Sequence, residues 1–230
     1  MKNKIIKRLH LCFSVFFKLL HVFTQMIYGL WKVSKLPSPI VSIFGGAQLA
    51  AETNYFEQAH ELAARLANSN VSVLTGGGPG VMEAASCGAI MIKNKGKTMG
   101  IGVKNLGEGK NPCVQEYFEL NYFFARKWLL TRYSVGFVVF PGGFGTLDEL
   151  SEVLTLIKNE KMGRVPIILI GREYWHYFMM WLEQEALEHK LIKMKDLELF
   201  TITDDLDQAF YIIRDECKRM EKGGVYDQMD

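Results

Sequence analysis

Short runs of β-branched and aliphatic residues recur along this chain, and several of them end in glycine-rich turns. The three turns richest in glycine lie at residues 45–47, 76–80 and 141–146, and helical patterns begin directly after the last two. An alternation of short apolar runs and helical segments is typical of α/β proteins with a parallel sheet. We therefore predict a Rossmann-like, doubly wound parallel sheet with helices on both faces, preceded by an N-terminal helical extension.

The same patterns predict the order of the elements. Strands are expected at residues 40–44, 71–75, 98–103, 117–120, 136–140, 165–170 and 200–202. Apolar residues at helical spacing predict helices over residues 55–68, 81–91, 122–133, 147–159, 174–189 and 205–220. Asp204 is expected to cap the last of these helices. The run at 136–140 is almost continuously apolar, which is typical of a central strand buried on both faces.

Residues 1–36 differ in composition from the rest of the chain. Four basic residues lead into an apolar stretch that is interrupted by Lys18, His21 and Gln25. Three interpretations stay open: a helix that packs on the body or on a neighbouring subunit, a helix on a membrane surface, or a signal anchor or true span. Because proline disfavours helix in the residue before it, Pro37 marks a boundary. We predict an extension at 1–36, a Rossmann-like nucleotide-binding catalytic domain at 37–222 and a flexible tail at 223–230.

The charge and cysteine content exclude several functional classes. Lysine and arginine total 27 against 25 acidic residues, so the net charge is +2 and no whole-protein field would attract nucleic acid. The four cysteines lie far apart without a CxxC pair. We therefore expect no disulfide framework, no zinc site and a reduced, cytoplasmic setting, with membrane association through residues 1–36 left open. The five histidines are scattered, so we expect no catalytic metal.

The glycine-rich turns also indicate where a ligand binds. In open α/β sheets, ligands bind beyond the carboxyl ends of the strands, where glycine permits a close approach of the backbone. A helix N-terminus at such a turn presents free N–H groups to a phosphate. One such turn could serve packing alone, but three favour a phosphate or nucleotide site. None is a Walker A loop and none has the dinucleotide pattern with its acidic partner, so we expect no dinucleotide cofactor.

Two segments carry a resemblance to a known family. Residues 76–85, Gly-Gly-Gly-Pro-Gly-Val-Met-Glu-Ala-Ala, and residues 141–149, Pro-Gly-Gly-Phe-Gly-Thr-Leu-Asp-Glu, resemble the LOG family of cytokinin riboside 5′-monophosphate phosphoribohydrolases, formerly described as lysine decarboxylase-like. The likeness covers residues 40–220, and the motif PGGxGTxxE matches at every fixed position. It implies a Rossmann-like fold, a homodimer or larger homo-oligomer, and no cofactor. It also implies hydrolysis of the N-glycosidic bond of nucleoside 5′-monophosphates to free base and ribose 5-phosphate.

The resemblance implies that Arg126 and Glu149 are the catalytic residues. Arg126-Lys127 matches the family's arginine–lysine pair, and Glu149 ends the PGGxGTxxE motif. The chemistry agrees, because glycosidic cleavage develops positive charge on the sugar, which a carboxylate stabilises, and a guanidinium suits bidentate phosphate recognition. Glu149 and Glu83 could instead only complement the dipoles of their helices. Contacts to the phosphate or ribose are predicted for Gly46, Gly77, Gly78, Glu83, Lys127, Gly142, Gly143, Gly145 and Thr146.

Two features depart from the plant members of the family. Those members carry Met-His-Glu-Arg-Lys where this chain has residues 122–127, Tyr-Phe-Phe-Ala-Arg-Lys, and they carry glutamate where Asp148 stands. The identity of the base is left open between AMP-like and cytokinin nucleotides. A second hypothesis is a nucleotide or molybdenum-cofactor carrier without turnover, because such carriers resemble the same fold and motif. A carrier needs phosphate-binding loops but no carboxylate at the anomeric carbon.

Overall fold

The structure is a computed structural model and describes residues 2–92, 96–107 and 109–223. The strands are β1 (Ile40–Phe44), β2 (Ser72–Thr75), β3 (Thr98–Val103), β4 (Glu116–Leu120), β5 (Ser134–Val139), β6 (Ile167–Ile170) and β7 (Thr201–Thr203). The helices are α1 (Lys2–Val33), α2 (Asn54–Asn68), α3 (Val81–Ile90), α4 (Phe123–Arg132), α5 (Phe144–Lys158), α6 (Arg172–Trp181) and α7 (Leu206–Gly223). A π-helical segment at Leu182–Leu187 continues α6, and a 3₁₀ helix covers Met194–Leu199. Of the predicted tail, residues 224–230 lie outside the described ranges.

The seven strands form one parallel sheet in the order β4-β3-β2-β1-β5-β6-β7. The chain builds from β1 to β4 in one direction and then returns to the other side of β1 with β5. Strand order therefore reverses between β1 and β5, which is the position at which open α/β sheets bind ligands. This arrangement confirms the predicted doubly wound, Rossmann-like fold.

Helices cover both faces of the sheet, because side chains alternate between the two faces along each strand. Val41 and Ile43 of β1 pack with α2, α3 and α7. Ile40 and Phe44 pack on the opposite face with α4, α5, α6 and the end of α1. All six residues of β5 are buried, as expected for a central parallel strand. Burial on both faces holds the strand ends in fixed positions at the edge where the ligand loops emerge.

The predicted N-terminal extension is a single helix, α1, of 32 residues. Its second half packs on the body: Gly29 lies against Leu129 of α4. The side-chain oxygen of Gln25 accepts a hydrogen bond from the backbone N–H of Asn121 at 2.9 Å. The first half, at residues 8–20, extends beyond the body, and its described side chains are exposed or half-buried. The helix therefore has a docked half and a projecting half.

The predicted cap of the last helix is wrong. Asp205 caps α7, because its carboxylate accepts hydrogen bonds from the backbone N–H groups of Asp207 and Gln208 at 2.8 and 3.2 Å. The carboxylate of Asp204 instead accepts from the backbone N–H of Arg172 at 2.8 Å, at the start of α6. Two adjacent aspartates offer the same capping group, and the position of β7 beside α6 decides which of them is used.

The expectation for the cysteines is wrong for one pair. Cys87 in α3 and Cys113 in the loop before β4 form a disulfide, with their Cα atoms 4.8 Å apart. The two cysteines are separated by 26 positions in the sequence, so no short spacing indicates the pair. They meet because the loop between β3 and β4 returns over α3. Cys12 and Cys217 are not disulfide-bonded, and they are exposed and buried, respectively.

Helices α2 and α3 approach each other closely at Gly88, where a Cβ atom would overlap the backbone carbonyl of His60. We expect Gly88→Ala to lower the free energy of unfolding by about 1–3 kcal/mol, because two rigid backbones must separate. Urea unfolding measures this loss. The control is Gly163→Ala, where a Cβ atom meets nothing within 4 Å, and we expect a change below about 0.5 kcal/mol. Equal stability of the two variants would contradict the close approach.

Candidate active site

Three glycine-rich loops meet where the strand order reverses, and the peptide groups of Gly46 join them. The N–H of Gly46 donates to the carbonyl of Pro141 at 2.9 Å, in the loop after β5. Its carbonyl accepts from the N–H of Val81 at 3.2 Å, at the start of α3. Gly80 has a φ of +68°, and a Cβ atom on it would overlap the carbonyl of Gly46. Backbone contacts therefore fix the loops after β1, β2 and β5 relative to one another.

A cleft of about 950 Å³ opens beside these loops. It is lined by residues from the loop after β1, from α4, from the loop after β5 and from α5. The fold thus brings together side chains that the sequence separates, from residue 46 to residue 149. The predicted site residues that line the cleft are Gly46, Arg126, Lys127, Gly142, Gly143, Gly145, Thr146 and Glu149.

Arg126 and Glu149 form an ion pair in this cleft. The Nη2 atom of Arg126 lies 3.1 Å from Oε1 of Glu149, and the two side chains are only 9% and 12% exposed. Arg126 reaches from α4 across Gly76, where any Cβ atom would overlap its guanidinium. The Nε atom of Arg126 is buried, and no atom of the described residues is its hydrogen-bond partner. Because buried donors are normally paired, this N–H is available to an acceptor on a ligand.

Lys127, the next residue, is held between two carboxylates. Its Nζ atom lies 3.1 Å from Oδ1 of Asp148 and 2.9 Å from Oε2 of Glu152. Burial lowers the pKa of Lys127, but the hydrogen bonds and charges of Glu152 and Asp148 outweigh burial and raise the pKa above its usual value. Lys127 is therefore a fixed positive charge at the rim of the cleft at neutral pH.

The N-terminus of α5 opens into the cleft. The first turn of this helix carries no acidic residue. A Cβ atom on Gly143 or Gly145 would meet nothing within 4 Å, and both residues line the cleft. Thr146 is buried with its hydroxyl against Gly142, where only glycine leaves room for it. Free N–H groups, the helix dipole and a hydroxyl together suit an anion such as phosphate.

Three of the predicted contact residues do not line the cleft. Gly77 and Gly78 are buried, and the side-chain amide of Asn111 donates to their carbonyls at 3.1 and 3.0 Å. Glu83 is half-buried in the first turn of α3 and does not reach the lining. Gly76 presents the second loop to the cleft instead. Ligand contact by Gly77, Gly78 and Glu83 stays a prediction.

Two tyrosines of the cleft were missed by the sequence analysis. The hydroxyl of Tyr174, at the start of α6, donates to the carbonyl of Gly142. Tyr55, at the start of α2, also lines the cleft. Burial, and then the charges of Asp204 and Glu173, raise the pKa of Tyr55, so its phenol is a hydrogen-bond donor at neutral pH. Neither tyrosine belongs to a motif, and only the convergence of the loops shows that they line the cleft.

The described residues contain no group of three or more His, Cys, Asp or Glu side chains placed to hold a metal ion. The charged side chains that line the cleft are Arg126, Lys127, Asp148 and Glu149. They form two adjacent ion pairs, one deeply buried and one at the rim. The arrangement can bind an anion at the helix end and place a carboxylate beside it.

Comparison with known families agrees with this geometry. A family model described as "Possible lysine decarboxylase" matches residues 82–213, which include α4 and the motif that ends at Glu149. The chain belongs to this family. The resemblance to the LOG family is thereby confirmed, and relatives with that name are found among curated proteins.

Two curated relatives and one solved structure illustrate the family. The chain is 25% identical over 186 residues to the cytokinin riboside 5′-monophosphate phosphoribohydrolase LOG1 of Arabidopsis thaliana, covering 79% of this chain and 85% of that protein. It is 29% identical over 156 residues to the pyrimidine/purine nucleotide 5′-monophosphate nucleosidase of Escherichia coli K12, covering 64% of this chain and 34% of that longer protein. The molybdenum cofactor binding protein of Rippkaea orientalis is 25% identical with a TM-score of 0.53, covering 81% of this chain and 97% of that one.

The buried ion pair predicts an energetic coupling between Arg126 and Glu149. Arg126→Met would leave Glu149 buried without its countercharge, so we expect the free energy of unfolding to fall by about 3–5 kcal/mol. Adding Glu149→Gln to that variant should recover part of the loss. A double-mutant cycle by urea unfolding should give a coupling energy of about 0.5–3 kcal/mol. Strictly additive effects would contradict a direct interaction between the two side chains.

Proposed function

We propose that the protein hydrolyses the N-glycosidic bond of nucleoside 5′-monophosphates and releases free base and ribose 5-phosphate. The substrates are AMP-like nucleotides or cytokinin riboside monophosphates, in keeping with the names of the curated relatives. The observation that carries the proposal is the buried pair of Arg126 and Glu149 beside the open N-terminus of α5. The family description mentions lysine decarboxylation, but both relatives are named for action on nucleotides.

The spacing along α5 fits a nucleotide. The 5′-phosphate would bind at the helix N-terminus, where Gly143, Gly145 and Thr146 line the cleft. Glu149 follows Phe144 by five positions, which is about 7.5 Å along the axis at 1.5 Å per residue. This distance is on the order of one pentose. A nucleotide held by its phosphate would therefore present its anomeric carbon near the carboxylate of Glu149.

The charges of the site match the reaction. As the base departs with the bonding electron pair, positive charge develops on the sugar. The Glu149 carboxylate stabilises that charge and orients water, which adds hydroxide to the sugar and provides the proton that the base takes up. Arg126 holds the carboxylate through the 3.1 Å contact and keeps its Nε donor for a ligand oxygen. Burial strengthens these electrostatic interactions, because little water screens them.

Glu149→Gln should abolish base release while nucleotide affinity stays within roughly an order of magnitude. Glutamine keeps the shape of the side chain but removes the charge that stabilises the transition state more than the ground state. Base release is measured by chromatography on a panel of nucleoside 5′-monophosphates, and affinity by calorimetry. Glu61→Gln, on the exposed side of α2, is the matched control and should change neither quantity. Unchanged turnover in Glu149→Gln would remove this residue from the mechanism.

A second candidate function is a carrier that binds a nucleotide or molybdenum cofactor without turnover. The observation in its favour is the likeness to the molybdenum cofactor binding protein of Rippkaea orientalis. A carrier would use the glycine loops and the end of α5 but has no need of a carboxylate at the anomeric carbon. Nucleotide binding without base release by the wild-type protein would favour the carrier over the hydrolase.

We also propose that the protein works in the cytoplasm as a homodimer or larger homo-oligomer. The helices that frame the cleft carry large exposed aromatic side chains, and clusters of this kind are typical of interfaces. Phe123 both lines the cleft and is half exposed, so a second copy docked there would complete the wall of the site. The exposed aromatic residues on these helices include Phe123, Phe124, Phe144 and Tyr177.

Sedimentation velocity at micromolar protein should show a dimer or a larger species. Phe124→Asp should shift the distribution towards the monomer and reduce base release by about tenfold, because an interface would bury an unpaired carboxylate. The matched control is Tyr211→Asp, an exposed aromatic position on α7 away from the cleft, which should alter neither property. A fully active monomer at this concentration would contradict the oligomer.

A further inference from the structure

Helix α1 presents an apolar face on the side away from the body. Seven large apolar side chains recur at spacings of three and four residues, with one adjacent pair, which places them on one side of a helix. They are between 47% and 63% exposed. The face extends over 19 residues, and its first and last residues are about 27 Å apart along the axis at 1.5 Å per residue. This outward face consists of Phe13, Phe16, Phe17, Leu20, Phe23, Ile27 and Trp31.

The opposite side of α1 is the side that the body covers. Gly29 and Val33 are buried there, with Gly29 against Leu129 of α4. Lys32 forms an ion pair with Glu116 of β4 at 3.5 Å. These contacts fix the rotation of the helix about its own axis. The outward face is therefore held away from the body by contacts of named side chains, and α1 cannot bury it by rolling over.

A narrow polar stripe interrupts the apolar surface of the projecting half. His10, Ser14, Lys18 and His21 follow one another at spacings of four and three residues. Apolar residues that belong neither to this stripe nor to the outward face, such as Leu11 and Leu19, are also exposed. A single docked helix would cover one face only, whereas the boundary between headgroups and acyl chains would cover the outward face together with the apolar flanks of that face.

The charge of this region has one sign. The first acidic residue of the chain is Glu52. Before it lie seven basic residues, at positions 2, 4, 7, 8, 18, 32 and 35. In a twofold dimer the same patch lies on both subunits, so pairing of two α1 helices would bring basic residues together without an acid between them. A surface of anionic lipid complements both the charge and the apolar face.

Length and composition alone would allow α1 to cross a membrane, since His10–Val33 forms a 24-residue apolar helix. The contacts of its second half argue against this. Gly29 and Lys32 are packed on α4 and β4, so the apolar part of the projecting half is confined to residues 9–20, after the basic residues at 2, 4, 7 and 8. Twelve residues span about 18 Å, which is shorter than the hydrocarbon core of about 30 Å.

We propose that α1 binds an anionic bilayer from one side and lies along its surface. The outward face of α1 enters the boundary between headgroups and acyl chains. Exposed basic residues such as Arg8 and Lys18 lie at the level of the lipid phosphates, and the body remains in water. This inference concerns attachment and does not depend on hydrolysis, so base release and membrane binding are measured separately.

Vesicle flotation of the full chain tests the attachment. The protein should float with vesicles of phosphatidylcholine mixed with phosphatidylglycerol, bind pure phosphatidylcholine vesicles much more weakly, and lose affinity as salt screens the charges. Phe16→Asp on the outward face should weaken binding by about tenfold or more, because a carboxylate would enter the acyl boundary. Ser14→Asp adds the same charge on the polar stripe and should stay within about threefold. Both positions project beyond the body, so the thermal unfolding midpoint should not change.

The free thiol of Cys12 reports the depth and the topology of the helix. Cys12 is exposed, Cys217 is buried, and Cys87 is bonded to Cys113, so a nitrobenzoxadiazole label can be directed to Cys12. On vesicles the label should shift its emission to the blue. Dithionite added outside the vesicles should still reduce it, because the helix stays in the outer leaflet.

Four results would overturn the proposal. Failure of the full chain to float with anionic vesicles would exclude the attachment. Equal losses in Phe16→Asp and Ser14→Asp would show attraction of charge without insertion of the outward face. Protection of the label from dithionite would show a helix that crosses the bilayer. Dissociation of a dimer by Phe16→Asp in the absence of lipid would show that a second copy covers this face.

Discussion

The arrangement of the ligand edge depends on the backbone contacts of Gly46. Its N–H and its carbonyl connect the loop after β1 to the loops after β5 and β2. Glycine at positions 80 and 142 leaves the room that these approaches need. β1 and β5 are paired in the sheet, but each continues into a different helix. Without the contacts of Gly46, the loops that follow these two strands would separate. With them, loops of three separate βα units form one rigid edge.

The charged centre of the cleft is built on this edge. Arg126 comes from α4 and Glu149 from α5, and both helices pack on the same face of the sheet. Gly76 at the end of β2 admits the guanidinium, so the pair depends on all three loops at once. Three residues after Arg126, Leu129 of the same helix supports α1 through Gly29. A single ten-residue helix thus connects the chemistry to the proposed attachment surface.

Much of this structure could be predicted from the sequence, because strand–turn–helix patterns are local. The strands, the glycine loops and the positions of Arg126 and Glu149 followed from such patterns and from the family motif. Gly77 and Gly78 mark the limit: a glycine loop can serve a ligand or another loop, and the hydrogen bonds from Asn111 come from over 30 positions away. The disulfide and the Tyr174 contact also arise where distant loops return. Likewise, the composition of residues 1–36 predicts a helix but leaves its surroundings undetermined.

The ion pair has a consequence for the end of the proposed catalytic cycle. The Arg126 guanidinium has a carboxylate partner within the protein, at 3.1 Å. A phosphate or sugar oxygen that draws on this guanidinium must compete with Glu149, and the pair can re-form as the sugar phosphate departs. Such competition lowers the affinity of the site for both substrate and product, and it shortens the time that the product occupies the site. A carrier that stores its ligand gains nothing from an internal competitor for Arg126. An enzyme gains from one, because it must release its product after each turnover.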